Sequence, residues 1–415
     1  MPPTAIGTYV HLSILVTLGN VCAYAVQLLL ARSLTPADFG AINALLSLAM
    51  VISAPFAVIP MVISKLLLAN ENEATIQAHL VRRFYLAGLA ITAAFWVVNF
   101  PFASGLSRLM NVSVPVATML LPVLVASTVL YLVPIGIWQS RGNYAMMAVG
   151  TAAVPILRFV FAFLLVTCAG AGLLGAIWSL TLAGLIVFGA GAWAQHDKLS
   201  ATPTKLPIGT IRRAIAVALP GVVGMLGLLG LAYVDQPIVR SLSSAEASGQ
   251  YAAAATLAKI ALLLPSALTG FIFPEAAKLT QSDEASQQAS LRLIVTVLLF
   301  TVAVSGAATM AMLIAPRFIL VLLAGHAYGG AAPLLMLLAP AMTFLAIITV
   351  LVTYALARDR FDILWPTIIA LAVALTAPYL LRLDANAVAT MMFWILGLLC
   401  AICLAWLFMT HRPRK

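Results

Sequence analysis

Apolar runs of about twenty residues recur along the whole chain with very little charge inside them. Each is long enough to cross roughly 30 Å of hydrocarbon as a helix. In lipid, every backbone N–H and C=O must find a partner within the spanning structure, so only helices and closed barrels are possible. The alternating ten-residue pattern of barrel strands is absent, which leaves helices. Composition agrees. Hydrophobic residues make up 63% and charged residues 8%, with a mean hydropathy of +1.10. A soluble protein carries about 25% charged residues, so the solvent around this chain is mostly lipid. The pattern predicts twelve spans, near 9–31, 40–64, 83–104, 116–138, 145–168, 172–194, 214–238, 250–273, 292–315, 333–357, 362–381 and 387–410.

The chain is also written twice. Residues 32–40 read RSLTPADFG and residues 240–249 read RSLSSAEASG. Arg32, Ser33 and Leu34 align with Arg240, Ser241 and Leu242, while Gly40 aligns with Gly249 after one inserted residue and Pro55 with Pro265. Six spans per half is an even number, so both halves enter the membrane in the same sense and the repeat is parallel. The expected organisation is an N-terminal lobe over 1–196, a linker over 197–213 and a C-terminal lobe over 214–415. Two lobes around one cleft suit the movement of a substrate across the membrane.

Basic residues set the expected orientation. Fifteen of the 22 Lys and Arg residues fall at the two ends and in the even-numbered loops, five fall in the odd-numbered loops, and Arg158 and Lys259 lie inside spans. By the positive-inside rule both termini are cytoplasmic, and the net charge of +10 is membrane-orientation bias rather than a nucleic-acid surface. The longest connection, 195–213, carries Pro203, Pro207, Lys198, Lys205, Arg212 and Arg213, as a flexible linker ending in a basic membrane-surface segment would.

Motifs of soluble chemistry are missing. There is no phosphate loop, no HExxH, no GxSxG and no His/Cys cluster, so no enzyme activity, metal or cofactor is expected. Cys400 and Cys403 form a CxxC inside the last span, where small packing residues are the expected reading. Gly221, Gly224, Gly227 and Gly230 recur every three residues in the seventh span, as a close-packing or bending face. Prolines interrupt several spans, among them Pro55, Pro60, Pro155, Pro220, Pro265, Pro274 and Pro340, and can bend the helices there.

The informative polar residues are those inside spans. Arg158 and Lys259 sit near the centres of the fifth and eighth spans. A central Arg or Lys facing lipid costs about 2.5–3.5 kcal/mol on insertion scales, so each is expected to face protein or a cavity. Two uses are open: a structural partner, such as Asp235 for Lys259, or a cationic lining for an anionic substrate. By the repeat, Lys259 aligns with about Met50 and Arg158 with about Leu375, so neither charge is duplicated. Asp235, whose counterpart is Gln27, and Glu275 are the acids nearest the membrane interior, and Asp235 is the candidate for ion coupling. The first span carries a polar stripe of Ser13, Thr17, Asn20, Tyr24 and Gln27 at helical spacing, expected to look inward. Asn20, Tyr24 and Gln27 join the candidate substrate-binding set.

Three segments resemble a known family. These are LLLARSLTPADFGAINALLSLAMVISAPF, the run YVDQPIVRSLSSAEASGQYAAAATLAKIALLLPSALTGFIFPEAAK, and LAGHAYGGAAPLLMLLAP before the tenth span. They are similar to the polysaccharide-biosynthesis flippases of the multidrug/oligosaccharidyl-lipid/polysaccharide (MOP) exporter superfamily. The resemblance implies an all-α membrane protein with a V-shaped, MATE-like fold of two six-helix bundles, opening alternately to each side. It implies transport of a polyprenyl-diphosphate-linked oligosaccharide or polysaccharide precursor to the outer leaflet of a bacterial cytoplasmic membrane, with a glycan polymerase or export machinery as protein partners. Basic residues facing the cleft would hold the diphosphate; on that logic Arg158 and Lys259 come first, then Lys65 and Arg32. Two alternatives stand beside it: a cation-coupled multidrug exporter of the same fold, and a membrane subunit of an exopolysaccharide synthesis or secretion complex.

Overall fold

The computed structural model describes the backbone of residues 3–69, 74–112, 114–199, 208–265 and 284–410. Side chains are described from residue 14 onward within those ranges, apart from 74, 199, 208–218, 284–288 and 290. The side chains of Ser13, Arg212 and Arg213, and the residues Pro203, Lys205, Pro207, Pro274 and Glu275, therefore lie outside what is described. Every regular element among the described residues is a helix. Ten helices are long and apolar enough to cross a membrane, and eleven if the bent pair Leu219–Tyr233 and Asp235–Leu242 counts as one. The remaining expected position, the eighth, is filled by Ala245–Leu263, which carries Glu246, Gln250 and Lys259 along its length. The chain divides into two compact units, Met1–Val222 and Val223–Lys415.

Unit 1 holds α1 (Pro3–Ser33), α2 (Pro36–Ser53), α3 (Ile59–Leu68), α4 (Ala74–Leu109), α5 (Pro115–Met119), α6 (Leu121–Leu130), α7 (Leu132–Ser140), α8 (Tyr144–Ala162), α9 (Gly172–Trp193) and the short α10 (His196–Leu199). A 3₁₀ turn, Ala54–Val58, joins α2 to α3 around Pro55, and α8 runs on into a π turn over Phe163–Cys168. α1 packs on α8, α8 on α9, and α6 on α9. Inside lipid such contacts are held by close packing rather than by the hydrophobic effect, so small residues mark them. At Gly184 on α9 the backbone of Ser127 on α6 comes so close that a Cβ would overlap its carbonyl oxygen.

Unit 2 begins within α11 (Ile208–Tyr233). It continues through α12 (Asp235–Leu242), α13 (Ala245–Leu263), α14 (Glu284–Ile314), α15 (Pro316–Leu323), a 3₁₀ turn over His326–Ala331, α16 (Ala332–Ala357), α17 (Leu364–Leu381) and α18 (Ala385–Thr410). α16 is the centre of this unit, packed by α13, α14 and α18. The glycine face of α11 is a packing face, as expected. A Cβ would meet Leu356 at 2.9 Å from Gly224, Thr367 at 2.8 Å from Gly227 and Leu371 at 2.8 Å from Gly230. Cys400 and Cys403 are buried free thiols in α18. Gly325, before the 3₁₀ turn, has φ 112 and ψ 166, a backbone region essentially reserved for glycine.

The duplication is visible in atomic detail. Thr35 caps α2 by accepting the N–H of Asp38 at 3.2 Å, and Ser244 caps α13 by accepting the N–H of Ala247 at 3.2 Å. The cap positions include the one-residue insertion seen in the sequence. Gly19 of α1 rests on Ala152 of α8, and Gly227 of α11 rests on Thr367 of α17. Ser33 meets Thr167 at 3.4 Å, and Ser241 meets Tyr379 at 2.9 Å.

Two expectations change. The first-half helix α1 is continuous through Gln27, whereas its mate bends by 41° between Tyr233 and Asp235. Asp235 thus sits at a break inside the spanning pair rather than near its end. Arg240, read from sequence as a loop residue, is 2% exposed within α12, where its Nη1 donates to the Ala245 carbonyl at 3.1 Å. Arg240 closes the turn into α13 from inside, and a hydropathy count cannot separate that from an interfacial anchor.

Candidate functional site

In unit 1 the site grows from Arg158. It lies on α8, three residues after Pro155, with its side chain toward α9. Its Nε donates to the Leu180 carbonyl at 3.0 Å, and the same carbonyl receives Ser127 Oγ at 3.5 Å. Tyr131, at the junction of α6 and α7, is the phenol within electrostatic reach of the guanidinium. Nη2 is buried and has no hydrogen-bond acceptor, although the residue as a whole is half-buried. One edge of the guanidinium is therefore anchored to backbone while another donor is left unfilled. A buried cationic donor without an acceptor is costly unless something supplies one, and a planar guanidinium is matched to carboxylate or phosphate oxygens.

α1 supplies the neighbouring polar residues. Gly19 against Ala152 and Pro155, and Ser33 against Thr167 at a separation of 134 residues, show α1 and α8 running parallel in a fixed register. That register places Tyr24 at the level of Arg158 and Gln27 about one turn beyond. Val26 and Leu30 are buried, while Thr17 and Asn20 are exposed and Tyr24 and Gln27 are half-buried. The polar stripe thus flanks the packed face of α1 rather than lying within it. Gln27 Oε1 is a second buried polar atom with no partner. Lys65, in the last turn of α3, and Arg32, in the last turn of α1, are both exposed at helix ends and are not gathered with Arg158.

Unit 2 holds a separate buried group. Asp235 is 1% exposed. Its Oδ1 accepts the Gln236 N–H at 2.9 Å and its Oδ2 accepts the Tyr251 hydroxyl at 2.8 Å. Lys259 is 6% exposed, its Nζ stands 3.9 Å from the centroid of the Tyr233 ring, and its charge is felt by Asp235. Lys259 and Asp235 thus lie in the same unit, both buried and within electrostatic reach of one another. Tyr131 and Tyr233 carry no mark in the sequence, since each meets its partner from another helix. Tyr251 stands in the Gly-x-Tyr of the second resembling segment, and its bond to Asp235 is visible only in the structure. Among the described residues no group of His, Cys, Asp and Glu could hold a metal ion.

No family model matches the sequence, and no curated protein is similar to it in sequence. Solved structures are similar in fold. One is an inward-facing multidrug resistance MATE family transporter of the MOP superfamily, with TM-score 0.79, 11% identity and 94% of each chain covered. Another is the lipid II flippase MurJ in an inward closed conformation, with TM-score 0.74, 10% identity, 96% of this chain and 87% of that one. A third is an outward-facing MATE family transporter, with TM-score 0.63, 13% identity, 97% of this chain and 94% of that one. The chain is therefore an all-α, multi-pass membrane protein with the fold shared by MATE and MurJ transporters.

Proposed function

We propose that the protein is a transporter that flips a lipid-linked glycan, carried on a polyprenyl diphosphate, from the cytoplasmic to the outer leaflet of a bacterial cytoplasmic membrane by alternating access. The observation that carries this reading is Arg158: an intramembrane guanidinium anchored by one edge to Leu180 and left with a buried donor unfilled. An anionic diphosphate supplies the missing acceptor and a charge to match. In this reading Tyr24, Gln27 and Asn20 on the adjacent α1 hydrogen-bond the head group, with Lys65 and Arg32 as entry or interface contacts. The likeness in fold to a lipid II flippase supports the substrate class. The test is reconstitution into proteoliposomes with a head-labelled polyprenyl-diphosphate glycan. Exposure of the label faster than in empty liposomes, and lost in Arg158→Ala, supports the reading.

A second reading, cation-coupled multidrug export, is favoured by the buried Asp235 carboxylate at a helix break and by the likeness to MATE transporters. No label exposure with any applied gradient, together with drug efflux that depends on Asp235 and not on Arg158, would transfer the proposal to that class.

A further inference from the structure

We propose that Arg141 and Lys198 form a binding site in unit 1 for the phosphate of an anionic lipid head group. The inference concerns the lipid around the protein and does not depend on which substrate is moved.

The site follows from a register between parallel helices. α6 and α7 run beside α9, and glycines of α9 mark where they touch. A Cβ at Gly184 would collide with the backbone of Ser127, and a Cβ at Gly191 with the side chain of Pro134. Both contacts join residues 57 apart in the chain, and seven residues separate one contact from the next on each side. A seven-residue step is two helical turns and returns to the same face. One further step leads from Pro134 to Arg141 and from Gly191 to Lys198, again 57 apart. The path beyond α9 stays helical: the Gln195 N–H donates to the Ala192 carbonyl at 3.1 Å and the Lys198 N–H to the Gln195 carbonyl at 3.0 Å. The register therefore sets two cations side by side, at the end of α7 and in α10. α4 closes the third side. Gln195 Nε2 donates to the Tyr85 hydroxyl at 3.5 Å, α10 packs on α4, and the half-buried Arg82 lies one turn before Tyr85.

Like charges set side by side repel, and removal from water strengthens the repulsion. Lys198 is half-buried, and its ammonium is held below its ordinary pKa first by burial and then by the Arg141 charge. Among the described residues neither cation makes an ion pair. Asp197, next to Lys198 in the chain, is 87% exposed and pairs with His196 at 2.9 Å. An anion between the two cations relieves the repulsion, and a guanidinium beside an ammonium is matched to phosphate oxygens. Depth identifies the source of that phosphate. Trp193, last residue of α9, is 79% exposed, and Tyr144, first residue of α8, is 47% exposed. Exposed Trp and Tyr at the ends of spans mark the head-group layer, and Arg141 is itself exposed at that level. The count of basic residues reads this end as cytoplasmic, where basic pockets between spanning helices take anionic head groups.

The experiment uses the purified full-length protein in neutral detergent, with thermal unfolding followed against added phosphatidylglycerol, phosphatidylcholine or inorganic phosphate. Phosphatidylglycerol is expected to raise the wild-type Tm saturably, and at lower concentration than either of the others. Arg141→Gln and Lys198→Gln should each weaken that response about tenfold, the loss of one charge-assisted hydrogen bond. The double variant should lose the response. If the double variant does not fold, the two single variants carry the test. Arg83→Gln combined with Arg292→Gln removes as many exposed charges from outside the register and should respond as the wild type does. An undiminished response in the Arg141 and Lys198 variants overturns the proposal. So does an equal loss in the Arg83 and Arg292 control, which would reduce the effect to net charge. A Tm rise given in full by inorganic phosphate, with nothing added by the lipid, overturns the assignment to a head group.

Discussion

Removing either charge from the Asp235–Lys259 group should cost far more than removing both. Asp235 is 1% exposed and Lys259 6%, so neither can turn to water when its partner is lost. The two charges are opposite and within electrostatic reach of one another, and leaving a buried charge uncompensated costs about 3–5 kcal/mol. Here the survivors differ. After Lys259→Met, Asp235 keeps the bonds from Tyr251 and Gln236, so a loss near the lower figure, about 3 kcal/mol, is expected. After Asp235→Asn, Lys259 keeps the Tyr233 face, worth about 2 kcal/mol when desolvated, and a loss of similar size is expected. The double variant removes both charges and should fall within about 2 kcal/mol of wild type, since buried pairs are often replaceable by apolar groups at little cost. The coupling then exceeds about 2 kcal/mol, well outside the ~0.5 kcal/mol scatter of independent sites. The assay is reversible unfolding in mixed detergent micelles in sodium- and potassium-free buffer, with all four proteins compared. Additive single losses would show that Asp235 and Lys259 act independently, and the reasoning would fail with them.

Other expectations are simpler. Arg158→Ala should lower glycan flipping by about 10- to 100-fold, the loss of one or two charge-assisted hydrogen bonds, with abundance unchanged, while Arg158→Lys should retain part of the rate; equal loss of abundance in both would point to a structural role. Gly184→Val should destabilise unit 1 by about 1–3 kcal/mol through collision with the Ser127 backbone, and a wild-type Tm would contradict the packing. Thr35→Ala and Ser244→Ala should each cost about 1 kcal/mol as paired helix caps, read by unfolding or by hydrogen exchange at the Asp38 and Ala247 amides. Asp362, in the turn before α17, gives a small pH effect. Burial works to raise its pKa, but hydrogen bonds from the Trp406 indole at 2.6 Å and from Arg360 outweigh it and hold the carboxyl below its ordinary 3.8. A depressed folded pKa contributes stability above the unfolded value and loses it as pH falls through the folded one. The contribution should thus be complete at neutral pH and fade below about pH 4. As the side chain is about half exposed, it amounts to less than about 1 kcal/mol. Asp362→Asn should flatten the acid limb and shift Trp406 fluorescence.

Much of this protein is written in one dimension. Runs of apolar residues had to become helices, because lipid offers the backbone no partner, and the repeated RSL phrase located two matching helix starts whose caps, Thr35 and Ser244, hold the same bond. The centres of spans also announced Arg158 and Lys259, since a charge there is too costly to be incidental. What those charges do was decided by neighbours from other helices. Arg158 could be recognised as half-satisfied only once α9 brought the Leu180 carbonyl to its Nε. Lys259 could be given a neighbour only once α11 brought the ring of Tyr233 beneath its ammonium, and Asp235 only once the helix break let Tyr251 of α13 reach its carboxylate. Arg240 was misplaced for the same reason, because burial is a property of what packs around a residue and a hydropathy count sees only what lies beside it in the chain. The lipid solvent dictates the helices through local backbone chemistry, whereas the pairing of charges depends on distances between helices, which no periodicity encodes.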